Sequence, residues 1–254
     1  MEKWIVIPDV HGRDFWRDAV NGRDDEKIIF LGDYVDPYFW EGITPQEAFM
    51  GLQDIIELKK AYPDNVVLLL GNHDLGYLDS RICTCRRDQF RANRLREILQ
   101  DNLDLFDIVH IEENGNGKAL FSHAGIAESW VELHEDILGG LDGFRPERLN
   151  ELLHGEPEDC QRLFRALEDA SYFRGGDAEV GSPVWADVNE YLEGEKLLGG
   201  YIHIFGHSLN PEGPVNVGNR GLCLDCAKAF RLDSDILQGE CPVLQFDEAE
   251  RADN

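Results

Sequence analysis

The chain has 254 residues, enough for one large domain or two small ones with a sizeable buried core. Apolar residues make up 43%, so disorder is not the default, and 24 Lys and Arg against 50 Asp and Glu leave a net charge of −26. Such a surface repels nucleic acid and anionic membranes at long range, so neither is an expected partner, but screening beyond about 8 Å leaves a local site free to take an anion.

No apolar run reaches the roughly 20 residues of a membrane span. The first strand-like run, Trp4 to Ile7, begins almost at the initiator Met with no signal peptide before it, so a cytoplasmic location is expected. That run leads into Pro8-Asp9-Val10-His11-Gly12, and the same pattern recurs. Ile28 to Leu31 leads into Gly32-Asp33-Tyr34-Val35-Asp36, and Val66 to Leu70 into Gly71-Asn72-His73-Asp74. Ala119 to Phe121 leads into Ser122-His123-Ala124-Gly125, and Tyr201 to Phe205 into Gly206-His207-Ser208. Continuous apolar runs of this length read as fully buried strands, and polar clusters at their C-terminal ends are where open α/β sheets build sites.

Between the second and third runs, Thr44, Pro45 and Glu47 form a capping box with proline at the first helical position. Ala48, Leu52, Ile55, Ile56 and Leu58 follow at helical spacing, which makes a β-α-β crossover. Helices are also expected over about Asp88–Leu99, Pro146–Leu153 and Glu158–Phe173. Short strands are expected from Pro214 to Phe246, with turns at Gly218-Asn219 and Asp233-Ser234. The expected fold class is α/β, a two-sheet sandwich flanked by helices. It would form a single domain over residues 1–246, with an Arg-rich insert at about 75–105, a helical insert at about 142–175 and a polar tail over 247–254.

The five turns together offer Asp9, His11, Asp33, Asp36, Asn72, His73, His123 and His207. Imidazole and carboxylate suit zinc, iron or manganese. Asp and Asn favour turns by themselves, but His does not, and four of the five turns carry one. Asp9 and His11 stand at i and i+2, which in extended backbone puts both on one side.

The series D-x-H-G, G-D-x-V-D, G-N-H-D, S-H-A-G and G-H, in this order, resembles the calcineurin-like metallophosphoesterases. It is most similar to the phosphoprotein phosphatase branch and its bacterial relatives, which include symmetric diadenosine tetraphosphate hydrolases. The resemblance implies two divalent metal ions (manganese, iron or zinc, with manganese favoured). Asp9 and His11 would bind the first, Asp33 would bridge, and Asn72, His123 and His207 would bind the second. His73, oriented by Asp36, would face the substrate. The implied reaction is hydrolysis of a phosphate ester by a metal-bridging hydroxide, with His73 stabilising the equatorial oxygens or protonating the leaving group. Two divalent cations set against two carboxylates and one hydroxide leave a positive residue of charge for the substrate. A phosphomonoesterase or Ser/Thr protein phosphatase-like enzyme is the first reading, acting on a phosphorylated small molecule, nucleotide or phosphoprotein. A dinucleoside polyphosphate hydrolase is the alternative. A noncatalytic scaffold on the same fold is a remote one, because scaffolds tend to lose ligands and all six stand here with His73.

The sequence also departs from that family. Pro37 and Tyr38 stand where the protein phosphatases carry Arg-Gly, so their phosphate-gripping Arg is absent, and Asp74 replaces the usual Glu. Arg81, Arg86, Arg87, Arg91, Arg94 and Arg96 concentrate after the third turn, against only Asp79, Asp88 and Glu97. If residues 87–94 are helical, Arg87, Arg91 and Arg94 share one side, and the insert would lie over the cleft and bind substrate phosphates or another anionic group, a task suited to Arg. Salt bridges to the acidic body would explain them equally. Trp185, in Ser182-Pro-Val-Trp-Ala-Asp187, reads as buried, and His203 as a hydrogen-bonded core residue. His110, His134 and His154 read as surface or helix residues, and Arg13 as a substrate contact or a local salt bridge. The six cysteines read as reduced thiols, and the single C-x-x-C at 223–226 is a weak basis for a zinc site.

Overall fold

The computed structural model of the protein describes residues 3–22, 26–114 and 116–233. The first sheet contains β1 (Lys3–Ile7), β2 (Lys27–Phe30), β3 (Val66–Leu69), β4 (Phe106–Asp107) and β10 (Phe230–Asp233) in the order β10-β1-β2-β3-β4. The pairs β1–β2, β2–β3 and β3–β4 are parallel, and β10 runs antiparallel on the edge of β1. The second sheet contains β5 (Val109–Asn114), β6 (Gly117–Ser122), β7 (Ile202–Phe205), β8 (Val215–Val217) and β9 (Gly221–Cys223) in the order β5-β6-β7-β9-β8.

Alternation along each strand divides the apolar residues between two cores. Trp4, Val6, Ile29, Leu31, Val67 and Leu69 meet Ala119, Phe121, Ile202, Ile204, Leu222 and Leu224 in one buried cluster between the sheets. The intervening Ile5, Ile7, Ile28, Phe30, Val66 and Leu68 belong to a second cluster shared with the helices. Burial on both faces explains why these strands read as unbroken apolar runs. The result is a two-sheet α/β sandwich flanked by helices, as expected.

The crossover helix α2 (Pro45–Ala61) starts where the capping box placed it: Glu47 N donates to Thr44 Oγ1 at 3.2 Å, and Thr44 N donates to Glu47 Oε2 at 2.8 Å. Helix α3 (Asn72–Leu78) follows β3 directly, after α1 (Phe15–Val20) earlier in the chain. Helix α4 (Ala92–Asp101) starts later than the expected Asp88, for a local reason. Oδ1 of Asp88 accepts from Phe90 N at 3.0 Å and Arg91 N at 3.2 Å, a side-chain turn that competes with helix. Residues 87–91 are therefore not helical, and Arg87, Arg91 and Arg94 do not form the expected stripe.

The second half adds α5 (Glu128–Leu133), α6 (Glu135–Leu138), α7 (Glu147–Leu153), α8 (Pro157–Ala166) and α9 (Val188–Glu193). The helix expected over Glu158–Phe173 ends at Ala166, with a separate short turn at Tyr172–Arg174. The turn at Gly218-Asn219 joins β8 and β9. Ser234 and the strands expected beyond it lie outside the described residues. No helix among the described residues is long and apolar enough to cross a membrane.

Candidate active site

All five apolar runs end at one place. The loop after β1 supplies Asp9 and His11, and the loop after β2 supplies Asp33 and Asp36. The head of α3 supplies Asn72 and His73, while the loops after β6 and β7 supply His123 and His207. All eight are buried. Both sheets contribute, so the site lies across the ends of the sandwich.

The loops are cross-locked by their own ligands. Oδ1 of Asp9 accepts from the backbone N of His207 at 2.8 Å, and Oδ1 of Asp33 accepts from His73 N at 2.9 Å. Gly206 N donates to the His123 carbonyl at 2.8 Å, and His11 N to that of Asp33 at 2.7 Å. Asp74 clasps two loops at once: Oδ2 accepts from Asp33 N at 2.7 Å and Gly71 N at 2.9 Å, and Oδ1 accepts from Tyr34 N at 3.1 Å. Four of the site residues have a left-handed backbone: His11 (φ 45), Asp33 (φ 54), Asp36 (φ 60) and His207 (φ 67). Such conformations cost about 1–3 kcal/mol each and persist only where surroundings enforce them. The i, i+2 argument for Asp9 and His11 therefore fails in its premise. His11 is not extended; it is turned toward Asp9 by the left-handed bend.

Two groups of ligand atoms converge. One from each of Asp9, Asp33, His123 and His207 lie within 4.8 Å of one another, and so do those of His11, Asp33 and His73. Asp33 belongs to both groups. His11 Nε2 lies 3.5 Å from Asp33 Oδ2 and 3.9 Å from Asp9 Oδ2, and His123 Nε2 lies 3.6 Å from Asp33 Oδ2. Ligands about 2.1 Å from one ion at a tetrahedral angle stand about 3.4 Å apart, so these separations suit a shared cation.

The proton placement fits as well. Nδ1 of His11 donates to the Val35 carbonyl and Nδ1 of His123 to that of Leu31, both at 2.8 Å. With Nδ1 committed to a carbonyl, each ring turns its Nε2 inward, the orientation that outer hydrogen bonds impose on metal-binding histidines. His123 Nε2 meets Asn72 Oδ1 and His207 Nδ1, each at 3.1 Å, while His207 Nε2 is buried without a partner. Burial lowers His11 to about 3 and His207 well below its ordinary value, so both are neutral ligands. Burial works against Asp33, but the surrounding imidazoles, the cationic His73 ring among them, and the His73 N–H outweigh it and keep the carboxyl low. An acceptor-rich, buried donor set of this kind fits divalent metal ions.

His73 behaves differently. Its Nδ1 lies 2.7 Å from Asp36 Oδ2, and Asp36 Oδ1 accepts from Tyr77 OH at 2.5 Å. Burial would discharge the ring, but the Asp33 carboxylate and the Asp36 hydrogen bond prevail and raise it to about 10. The ring is therefore a cation beside a cavity of about 290 Å³.

That cavity corrects the reading of the arginines. Its lining includes Arg86 and Arg174 and none of Arg87, Arg91 and Arg94. Arg87 lies over the Tyr77 ring at 4.9 Å, Arg91 pairs with Asp88 at 3.0 Å, and Arg94 lies over Phe49 at 4.8 Å. Arg86 donates from Nε to the Asp36 carbonyl at 3.1 Å and stacks on Tyr38 at 3.8 Å. Its Nη2 stands 3.4 Å from Nε2 of both His11 and His73. Arg174 reaches the site from the 172–174 turn, donating to the His207 carbonyl at 3.1 Å and pairing with Asp187 at 2.7 Å. Trp185 is half-buried, not buried as expected, because its ring faces the cavity 5.9 Å from that of His207.

The remaining residues settle simply. His203 is buried and bonded through Nε2 to the Leu198 carbonyl at 2.9 Å, as expected. His110, His134 and His154 pair with Glu112, Asp169 and Asp107 away from the site. Arg13 makes a salt bridge to Glu41 at 2.9 Å and also donates to the Asp9 carbonyl at 3.2 Å. Cys223 and Cys226 are buried, and neither belongs to a metal-sized cluster among the described residues. The sequence assigned no site role to Asp74, Tyr77 and Arg174, and named Arg86 only as one of the arginines of the insert. Only Asp74 carried a signal, since it completes the third motif.

Comparison with known proteins agrees with this geometry. The calcineurin-like phosphoesterase family model matches residues 3–211, and the chain belongs to that family. It is 25% identical over 146 residues to the serine/threonine-protein phosphatase PP2A-like PPG1 of Candida albicans, which supports the phosphoprotein phosphatase branch. That match covers 55% of this chain and 32% of the Candida protein, so the chain spans about a third of that relative's length. Among solved structures, the cold-active protein-tyrosine phosphatase of a psychrophilic Shewanella species has a TM-score of 0.59 at 15% identity, covering 94% of this chain and 79% of that one. A mutant cold-active protein tyrosine phosphatase has a TM-score of 0.58 at 14% identity with the same coverage. At such identities the likeness is one of fold.

Proposed function

We propose that the protein is a dinuclear metal-dependent phosphomonoesterase of the protein phosphatase type. Asp9, His11 and Asp33 would hold one ion and Asp33, Asn72, His123 and His207 the other. When bound, two such ions would lower the pKa of a bound water and neutralise developing charge on phosphorus.

The observation that carries the reading is the His73–Asp36 pair at the cavity. A ring held cationic, with Nδ1 fixed by Asp36, has Nε2 free to give a proton to the leaving oxygen. Arg86 stands beside it, stacked on Tyr38, and would take the place of the arginine that the second motif lacks. Its guanidinium would grip the phosphoryl oxygens together with Arg174. Closely packed cations of this kind select a terminal, doubly charged phosphate, which favours monoesters.

One observation supports a second reading, hydrolysis of dinucleoside polyphosphates. Tyr38 lines the cavity, Trp40 stacks on it at 4.7 Å, and Phe39 lies 4.9 Å from Trp40. Phe39 and Trp40 are exposed and could receive a nucleobase. Manganese-dependent turnover on a phosphomonoester, a phosphopeptide, a phosphodiester and diadenosine tetraphosphate separates the two. Preference for the monoesters supports the first reading; preference for the tetraphosphate replaces it with the second.

A further inference from the structure

One wall of the cavity carries chemistry that hydrolysis does not use. Cys83 and Cys85 both line it, on the segment between α3 and α4, and both are exposed. Sγ of Cys85 accepts from Arg86 Nη1 at 3.1 Å, and the same guanidinium stands 3.4 Å from Nε2 of His73 through Nη2. Because Asp36 takes Nδ1 of His73, Nε2 is the atom left to protonate a leaving oxygen, and the thiol lines the same cavity beside the arginine that flanks it. The buried thiols are protected by contrast: Cys223 donates to the Gly206 carbonyl at 3.2 Å, and burial pushes it well up. Cys85 is moved the other way, lowered by the neighbouring His73 and, against partial burial, by Arg86. An accessible thiol beside cations is the environment that makes cysteine reactive.

We propose that Cys85 is a peroxide-modification site that closes the catalytic pocket. The proposal rests on the roles given above to His73 and Arg86. The Cys85 sulfur attacks one oxygen of hydrogen peroxide: an S–O bond forms, the O–O bond breaks, and the departing hydroxide takes up the thiol proton and leaves as water. Sulfur is oxidised by two electrons and peroxide is reduced. The sulfenic oxygen then accepts from His73 and Arg86, in the place the phosphoryl and leaving oxygens require. A dithiol reverses the change. Its first thiol displaces water from the sulfenic sulfur to give a mixed disulfide, and its second releases the Cys85 thiol.

The test uses the zinc-loaded enzyme, since zinc has no redox chemistry of its own. Wild type, Cys85→Ser and Cys83→Ser are exposed to hydrogen peroxide and assayed before and after dithiothreitol. Peptide mapping with dimedone reports sulfenic acid at residue 85, and calorimetry with inorganic phosphate gives a readout independent of turnover. The wild type and Cys83→Ser are expected to lose activity and phosphate affinity by about tenfold or more, reversibly, with dimedone on Cys85. Cys85→Ser is expected to keep its own starting values. Inactivation of Cys85→Ser at the wild-type rate, an unlabelled Cys85, or unchanged phosphate affinity in the labelled protein would each overturn the proposal. An enzyme inert on every substrate that nonetheless shows the expected labelling and phosphate loss would reject the catalytic reading and leave this one standing.

Discussion

A methyl group on Gly206 would stand 2.3 Å from Oδ1 of Asp9, and one on Gly71 would stand 2.2 Å from Oδ1 of Asp33. The glycines of these two motifs are thus needed because a carboxylate passes directly over the backbone, a close approach that tolerates no Cβ. Gly206→Ala is expected to displace Asp9 and weaken metal binding about 10–100-fold, the usual scale for a supporting residue. Titration of the metal-free protein with manganese checks this, and an unaltered affinity would contradict it. Arg86 was not legible in the same way. It is one of six arginines in a short stretch, and only its left-handed backbone (φ 61) and its stacking on Tyr38 single it out. Both are tertiary facts. Arg86→Ala is expected to raise the Michaelis constant for a phosphomonoester about tenfold or more, the scale of a charge-assisted hydrogen bond. Arg87→Ala, remote from the cavity, is expected to leave it near the wild-type value, and equal effects from the two variants would count against the assignment.

At the scale of elements, the motif-bearing strands and α2 were legible because their signals are local: an apolar run ending in a polar turn, and a capping box. The start of α4 was not, because the Asp88 side chain diverts the backbone and no periodicity records that competition. Strand β7 adds a testable feature. His203 sits in its middle, and burial lowers it to about 4 from an ordinary value near 6.5. The folded chain therefore binds this proton less tightly than the unfolded chain. Stability from the neutral ring is fully present above about pH 6.5 and is lost as pH falls toward and through 4. Between pH 7 and pH 5 the loss amounts to about 2 kcal/mol. His203→Gln can keep the donor to Leu198 without the titration. Chemical denaturation at the two pH values should show a smaller drop for the variant by about that amount. Equal drops would show that His203 does not carry the dependence.

For the whole molecule, the sandwich buries both faces of each sheet and leaves the strand ends as the place where ligands from both meet. The fold class and the positions of all eight polar residues could be read from sequence, since each stands at a fixed offset from a strand end. The cavity could not, because Arg86, Arg174 and Trp185 reach it from segments far apart in the chain. Charge acts at this scale too. The body carries −26, while the cations at the cavity act over a few ångströms. Salt up to about 0.15 M screens the distant repulsion more than the close attraction, so kcat/KM for an anionic monoester is expected to rise over that range. A steady fall would mean that the local field governs encounter as well as binding.

The central claim is that one cluster holds metal while His73 supplies the proton, and these functions separate by substitution. Metal content and single-turnover rate should be measured together for wild type, Asp33→Asn and His73→Asn. The account predicts that Asp33→Asn loses both metal and turnover. His73→Asn should keep its metal and lose about 10²–10⁴ in rate. A His73→Asn enzyme at the wild-type rate, or an Asp33→Asn enzyme with full metal and full turnover, would contradict it.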